Sequence, residues 1–221
     1  MTEKGIFKFI KNHVNRKKKH KSLNTYKFTL NIAILGSAGV GKTSILNRIT
    51  EHCFTETHLP TEIDVKEHVV VGENLEVTLR LHDVSNNAEF CLTRRRTILE
   101  ADGFILVFSL ADKNSFEELE VFRLHIESLR GSGASELPII VVGNKSDLAN
   151  DGVCYDRIMK WCMNEMDSLY LECSAKQDSE VSRICPTLYD ELGVCGLLYK
   201  KVMEIQFKEE VKKVSKERRS R

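Results

Sequence analysis

The alternation of hydrophobic and polar residues in this chain predicts strands and helices that follow one another. Over residues 28–35, apolar side chains alternate with polar or small ones, which is typical of a strand. Residues 42–52 follow with helical spacing, since Ile45, Leu46 and Ile49 fall on one face. A glycine-rich turn separates the two segments, so we predict a strand, a turn and a helix in succession.

Five further segments have the composition of strands. Residues 65–71 are rich in β-branched side chains and residues 75–81 alternate cleanly, so with the short turn between them they predict a hairpin. The continuous apolar runs 104–110 and 139–142 are typical of strands buried on both faces. Residues 169–172 predict a short late strand.

Helical spacing returns between these strands. We predict a helix over 115–130 that is capped by Asn114 or Ser115, a second over 154–166 and a third beyond residue 179. Strands that alternate with helices in this way indicate an α/β fold with a largely parallel sheet.

Composition places the chain among soluble globular proteins, with 42% apolar and 29% charged residues. Its longest apolar stretch, 103–111, is too short to span a bilayer, and its start has no apolar run of signal-peptide length. The seven cysteines are odd in number and include no C-x-x-C pair. We therefore expect buried free thiols in a reducing compartment rather than a disulfide scaffold or a zinc site.

Positive charge is concentrated at the two ends of the chain. Residues 1–30 hold nine Lys or Arg against one acid, and residues 200–221 hold nine against four, although the net charge is only +1. The body between them is therefore acidic. The basic tails are either solvated segments without a dedicated partner or contacts for anionic lipid, nucleic acid or an import receptor. The three arginines at 94–96 are interpreted as a solvated helix face, with a partner contact as the alternative.

The segment from Gly36 to Thr43 fits the pattern G-x-x-x-x-G-K-[ST] of a phosphate-binding loop. Its glycines let backbone N–H groups surround phosphate oxygens, and the N-terminus of the predicted helix adds partial positive charge. Lys42 can reach the β- and γ-phosphates, while Thr43 offers a hydroxyl to Mg²⁺. The predicted nucleotide-binding residues of this loop are Gly36, Ser37, Ala38, Gly39, Val40, Gly41, Lys42, Thr43 and Ser44.

Two short polar motifs follow later strands and are predicted to contact the nucleotide base. Residues 144–147 (NKSD) come after the apolar run 139–142, and residues 174–176 (SAK) come after the last predicted strand. Ligands of open α/β sheets bind at the carboxyl ends of the strands. A carboxylate such as Asp147 can accept from two guanine N–H groups, a pair of donors that adenine lacks. The sequence therefore predicts a guanine nucleotide.

Together these motifs resemble those of the Ras superfamily of small GTPases, most closely its Ras-like branch, over about residues 27–192. Further matches are Pro60-Thr61, Asp83 and Phe54. The resemblance implies the small G-protein form of the P-loop fold, with a six-stranded, mostly parallel sheet flanked by about five helices. It also implies a monomer that binds GTP or GDP with Mg²⁺.

The resemblance implies a role for each matching residue. Lys42 would bind phosphate, Thr43 and Thr61 would ligate Mg²⁺, with Thr61 doing so only in the triphosphate state, and Asp83 would hold the ion through water. The residues implied at the base are Phe54, which would pack against guanine; Asn144 and Asp147, which would fix the base loop and read guanine; Lys145, which would pack along the base; Ala175, whose N–H would meet the guanine oxygen; and its neighbours Ser174 and Lys176.

Three departures from the family pattern fall at residues that would lie near the γ-phosphate. Asn86 stands where the family has a glycine that donates to the γ-phosphate, and Asn87 stands where a glutamine orients the attacking water. Asparagine is one methylene shorter, so its amide falls short by roughly 1.5 Å, and a misplacement of that size can cost about a hundredfold in rate. Ala38 adds a methyl group beside the γ-phosphate. We therefore predict slow GTP hydrolysis, with Lys42 and Asn87 as the catalytic residues.

The ends of the chain also depart from the family. The last cysteine is Cys195, so a C-terminal prenylation signal is not expected, and Thr2 stands where N-myristoylation needs a glycine. We expect a GTPase domain over 27–192, a basic disordered extension over 1–26 and a charged, partly helical extension over 193–221.

Residues 4–21 leave two partners open, an anionic membrane surface and a nuclear import receptor. We expect a cytoplasmic protein without a prenyl anchor, with the nucleus and the inner face of the plasma membrane as alternative destinations.

The motifs rank three functions. In a nucleotide-cycling switch, GTP and Mg²⁺ would order residues 55–67 and 83–97, which effectors and regulators would read. A module that holds nucleotide permanently needs no hydrolysis, and Asn86 and Asn87 favour it. The base-reading motifs argue against a P-loop kinase. We predict a slow switch, with the nucleotide-bound interaction module as the alternative.

Overall fold

The computed structural model describes residues 25–55, 63–72, 75–84, 91–131, 137–148, 153–194, 196–198, 200–205 and 207–208. Its strands are β1 (Tyr26–Leu35), β2 (Ile63–Gly72), β3 (Leu75–Val84), β4 (Gly103–Ser109), β5 (Ile139–Asn144) and β6 (Leu169–Glu172). Its α-helices include α1 (Lys42–Glu51), α2 (Cys91–Glu100), α3 (Lys113–Glu117), α4 (Leu119–Arg130), α5 (Tyr155–Trp161) and α6 (Ile184–Val194). A π-helical turn (Cys162–Met166) extends α5, and a 3₁₀ turn (Val181–Arg183) precedes α6.

These strands form one sheet in the order β2-β3-β1-β4-β5-β6. Neighbouring strands run parallel except β2 and β3, which form the antiparallel hairpin that the sequence predicts. The expected α/β fold with a six-stranded, mostly parallel sheet is thereby confirmed. The parallel strands bring the segments after β1, β5 and β6 to one edge of the sheet, where ligands of this fold class bind.

Each central strand contributes to a hydrophobic core on both faces of the sheet, because successive side chains point to opposite sides. Every residue of β4 is buried, as its continuous apolar run predicts. Ile105 and Val107 pack on the face that α1 and α6 cover, whereas Phe104 and Phe108 pack on the face of α2, α4 and α5. The strands β1 and β5, which the phosphate loop and the NKSD motif follow, are thus held in the buried centre of the sheet.

The predicted helix over 115–130 begins two residues earlier than expected, and its predicted caps are wrong. The side chain of Asp112 caps α3 by accepting a hydrogen bond from the N–H of Asn114. Ser115 instead accepts from the N–H of Ser109 at 2.9 Å and donates to the carbonyl of Asp112 at 2.6 Å. Its hydroxyl is therefore used to fasten α3 to the end of β4, and the cap is left to Asp112.

The cysteines divide into buried and exposed groups. Among the described residues, all of whose cysteines are free, Cys162, Cys173 and Cys185 are buried, whereas Cys91 and Cys154 are exposed. Burial raises the pKa of the Cys173 thiol to about 12, so this thiol stays protonated and unreactive at neutral pH. The expectation of buried thiols therefore holds for part of the set.

The C-terminal helical segment, which we define as helical residues 197–198, 200–205 and 207–208, packs on the sheet. Val202 is buried in a cluster with Tyr26 and Leu75, which are paired at the starts of β1 and β3. Nζ of Lys201 lies 3.8 Å from Oδ1 of Asp102 and forms an ion pair with it. Leu198 is buried in the main hydrophobic core. None of the described helices is long and apolar enough to cross a membrane.

Because Val202 is 1% exposed and its neighbour Met203 is 44% exposed, the two positions make a matched test of this packing. We expect Val202→Ala to lower the free energy of unfolding by about 2 kcal/mol, since it leaves a cavity in a packed cluster. Met203→Ala should lower it by less than about 0.5 kcal/mol. Urea denaturation of the two variants checks this, and equal small losses would mean that the segment contributes no packing.

Candidate nucleotide-binding site

The phosphate loop connects β1 to α1 at the carboxyl edge of the sheet. Its conformation requires glycine at two positions, since Gly36 and Gly41 have φ angles of 150° and 97°. A Cβ on Gly36 would overlap the carbonyl oxygen of Val107, and one on Gly41 would overlap the side-chain amide of Asn144. The loop thus passes directly against β4 and β5 and leads into the N-terminus of α1, a position that favours an anion.

Lys42 is the cation at the start of α1, and it is only 8% exposed. Its ammonium group donates to the carbonyls of Gly36 and Ser37, both at 2.9 Å. Burial lowers the pKa of Lys42, and the nearby charge of Asp83 partly offsets this effect. The carbonyls of the loop therefore hold the ammonium group of Lys42 in a fixed position, where its charge can attract an anionic ligand.

Thr43 and Asp83 meet beside Lys42, although they are distant in sequence. The hydroxyl of Thr43 donates a hydrogen bond to Oδ2 of Asp83 at the end of β3. Burial raises the pKa of the Asp83 carboxyl, an effect that the Thr43 hydrogen bond and the Lys42 charge partly offset. A hydroxyl and a buried carboxylate in contact are hard oxygen donors, which is the ligand chemistry that Mg²⁺ takes.

A cavity of about 360 Å³ extends from these groups along the carboxyl edge of the sheet. Most of the residues around it belong to the predicted site, while Asn47, Thr55 and Leu148 are additions. The lining residues are Gly39, Gly41, Lys42, Thr43, Ser44, Asn47, Phe54, Thr55, Asn144, Lys145, Asp147, Leu148, Ala175 and Lys176.

Asn144 ties the two ends of this cavity together. Its Nδ2 donates to the carbonyl of Val40 in the phosphate loop at 2.8 Å. Its Oδ1 accepts from the N–H of Ala175 at 3.1 Å and from the thiol of Cys173 at 3.6 Å. The residue is 2% exposed, so it serves as a buried bridge between the phosphate loop and the segment after β6. The resemblance assigns the N–H of Ala175 to the guanine oxygen. In this structure the same N–H donates to Oδ1 of Asn144.

The remaining base-motif residues lie around the far end of the cavity. Oδ1 of Asp147 accepts a hydrogen bond from the buried hydroxyl of Ser174 at 2.5 Å, and that hydroxyl also accepts from the N–H of Gln177 at 3.1 Å. Lys145 and Lys176 both line the cavity. The backbone of Lys145 is left-handed, with φ of 67°. The carboxylate of Asp147 is therefore fixed by a neighbour at the place where a base would be read.

Sequence reasoning missed two contacts that support this site. Arg48 on α1 donates to the carbonyls of Ala175 and Lys176, and its guanidinium lies over the ring of Phe54. Ser37 of the phosphate loop donates to the carboxylate of Glu118, between α3 and α4. Neither contact has a local sequence signal, because each partner is remote along the chain.

Some predicted site residues do not line the cavity or lie outside the described residues. Ala38 is exposed in the phosphate loop and is absent from the cavity lining. Thr61, Asn86 and Asn87 belong to segments outside the described residues, so their predicted roles stay predictions.

Comparison with known proteins agrees with this geometry. A sequence model of the Ras family matches residues 31–193. GTP-binding protein Di-Ras1 of Mus musculus is 31% identical over 153 residues, which cover 69% of this chain and 76% of that protein. Ras-like protein RAS2 of Hydra vulgaris is 32% identical over 146 residues, covering 66% and 75%. GTP-binding protein Rheb homolog 1 of Caenorhabditis elegans is 27% identical over 175 residues, covering 78% and 84%. This chain, with its phosphate loop, base-reading motifs and six-stranded sheet, belongs to the Ras family of small GTPases, in the Ras-like branch.

Proposed function

We propose that this small GTP-binding switch protein binds GTP and GDP together with Mg²⁺ and hydrolyses GTP slowly. The observation that carries the proposal is the bridge made by Asn144. It joins a phosphate loop that encloses Lys42 to the segment after β6, and Asp147 follows Asn144 in the same loop, along one continuous cavity.

At the phosphate end, the cation of Lys42 and the N–H groups of the loop neutralise and orient the phosphates. The neighbouring oxygens of Thr43 and Asp83 fit Mg²⁺, which when bound supplies positive charge to the transferring phosphate. The sequence adds Thr61 as a further ligand in the triphosphate state. These residues hold the substrate in place, and positioning of this kind supplies most of the catalysis in phosphoryl transfer.

At the base end, Asp147 supplies the acceptor pair that selects guanine over adenine. Phe54 and Lys145 both line the cavity and would offer an apolar face and an aliphatic stem to the base. Contacts at both the base and the phosphates keep the nucleotide bound for long enough that effector and regulatory proteins can distinguish the GTP-bound from the GDP-bound form at residues 55–67 and 83–97.

Hydrolysis depends on the orientation of the water that attacks the γ-phosphate. We assign the orientation of this water to Asn87. Because an asparagine amide falls short of the glutamine position, we expect Asn87→Gln to raise the single-turnover rate by about a hundredfold. Single-turnover assays on GTP-loaded protein measure this, with Asn164→Gln on the exposed π-helical turn as the matched control. An Asn87→Gln rate equal to that of the unmodified protein would remove Asn87 from the catalytic role.

Competition binding tests the proposed ligand itself. Fluorescent N-methylanthraniloyl GDP (mant-GDP), bound in the presence of Mg²⁺, should be displaced by equimolar GTP or GDP. A thousandfold excess of ATP should leave it bound, and excess EDTA should weaken its binding. Equal displacement by ATP would contradict the assignment of guanine to this site.

A further inference from the structure

Arg48 is partly buried beside the residues of the base end of the cavity, yet it does not line the cavity. It lies near the end of α1, and its side chain is 16% exposed. The guanidinium donates through Nε to the carbonyl of Ala175 at 2.8 Å, through Nη2 to that of Lys176 at 3.0 Å and through Nη1 to that of His52 at 3.1 Å. Three nitrogens of one rigid group therefore hold three backbone carbonyls.

These carbonyls belong to two chain segments that each contribute lining residues to the base end, and we call these segments its two walls. Residues 175–176 follow β6, and His52 follows α1 with a left-handed backbone, φ of 54°, that directs the chain toward Phe54. The guanidinium carbon also lies 5.9 Å from the centroid of the Phe54 ring, within the range of a cation–π contact. Oδ1 of Asp178 lies 4.0 Å from Nε and adds a peripheral ion pair.

We propose that Arg48 is a positioning residue that sets the residence time of the guanine nucleotide by holding both walls of the base end together. This inference rests on the proposed nucleotide function. A lysine cannot replace the group, because one ammonium point charge does not span three carbonyls that face a planar fork. Loss of Arg48 removes no residue that lines the cavity, but it removes the hydrogen bonds that hold the backbone of Ala175 and Lys176 and the contact with Phe54.

The test is the dissociation rate of mant-GDP from loaded protein, chased with excess GDP. We expect Arg48→Ala to release the nucleotide about tenfold faster and Arg48→Lys to give an intermediate rate, since charge-assisted hydrogen bonds are lost in part or in full. The acceleration should be the same factor in Mg²⁺ and in EDTA, because Arg48 acts at the base and not at the phosphates. Arg183→Ala, which removes an exposed arginine whose ion pair within the described residues is with nearby Glu180, is the control and should stay within twofold of the unmodified protein.

Coupling to Phe54 separates this role from general destabilisation. Phe54→Ala should also accelerate release, and the double variant with Arg48→Ala should be slower than the product of the two factors, because both changes release the same wall. A rate within twofold of the unmodified protein for Arg48→Ala, or for Arg48→Lys if the first variant does not fold, would overturn the proposal. So would factors that multiply fully in the double variant.

Hydrogen exchange distinguishes failure of this inference from failure of the proposed function. In nucleotide-free protein, the amides of Ala175 and Gln177 are hydrogen-bonded to side chains and should exchange faster in Arg48→Ala. Unchanged exchange would overturn the positioning role. If the unmodified protein takes up no mant-GDP, the proposed function fails, whereas faster exchange in Arg48→Ala would still support the hold on the loop.

Discussion

Asp147→Asn is expected to change the base that this protein prefers, from guanine to xanthine. Guanine offers two N–H donors, which a carboxylate accepts, whereas xanthine has a carbonyl in place of the exocyclic amine. An asparagine amide presents one acceptor and one donor and so matches xanthine. Loss of the charge-assisted pair should lower GDP affinity by about a hundredfold to a thousandfold. The structure supports a local effect, since Ser174 already fixes the Asp147 side chain.

Competition binding with GDP and xanthosine diphosphate measures this exchange. Asp156→Asn, at an exposed position in the first turn of α5, is the matched control and should keep the affinity of the unmodified protein for GDP. If Asp147→Asn retained GDP within tenfold and gained no affinity for xanthosine diphosphate, Asp147 would not be the residue that reads the base.

Lys42→Met is expected to abolish tight nucleotide binding while leaving the fold in place. The substitution keeps an unbranched side chain that is one atom shorter and removes the cation that the loop encloses. We expect GTP and GDP affinity to fall by about a thousandfold, because charge-assisted hydrogen bonds to phosphate are lost in a desolvated site. The free energy of unfolding of the nucleotide-free protein should change by less than about 1 kcal/mol. Replacing a buried charge by an apolar group of similar volume removes a desolvation cost together with its hydrogen bonds.

Two measurements therefore separate binding from folding at this position. Mant-GDP titration gives the affinity, and urea denaturation without nucleotide gives the stability. Lys160→Met, at an exposed position in α5, is the control for both. A Lys42→Met protein that unfolds during purification would instead assign the lysine a structural role in the loop.

Most of the sheet is predictable from the sequence because its strands are either alternating or continuously apolar. The hairpin of β2 and β3 and the buried run of β4 follow from residue type alone. The cap of α3 does not, because Asp112, Asn114 and Ser115 are all good caps by residue type. The choice depends on Ser109, whose N–H engages Ser115 and leaves Asp112 to cap the helix.

The C-terminal helical segment shows a similar limit. The sequence predicts a charged, partly helical extension, and only the paired starts of β1 and β3 bring Tyr26 and Leu75 together as a surface for Val202. A few apolar residues at helical spacing within a basic sequence are a weak signal without that surface.

The candidate site divides in the same way. Lys42, Asn144 and Asp147 are identifiable because short motifs place fixed residue types at or shortly after the ends of strands, and Asp83 is identifiable only through the family resemblance. Arg48 is not, because its partners are backbone carbonyls whose positions depend on how β6 and α1 end. Long-range contacts to backbone atoms place almost no constraint on the identity of the partner residue, so a single sequence does not reveal them.

The central claim is that this protein holds GTP in the described cavity and hydrolyses it slowly. Single-turnover hydrolysis tests it most directly: purified protein is loaded with GTP and Mg²⁺, freed of excess nucleotide, and its bound GTP and GDP are followed over time. We predict full loading and retention of most of the GTP for many hours. Conversion to GDP within tens of minutes would contradict slow hydrolysis, and a folded protein that takes up no GTP would contradict the account as a whole.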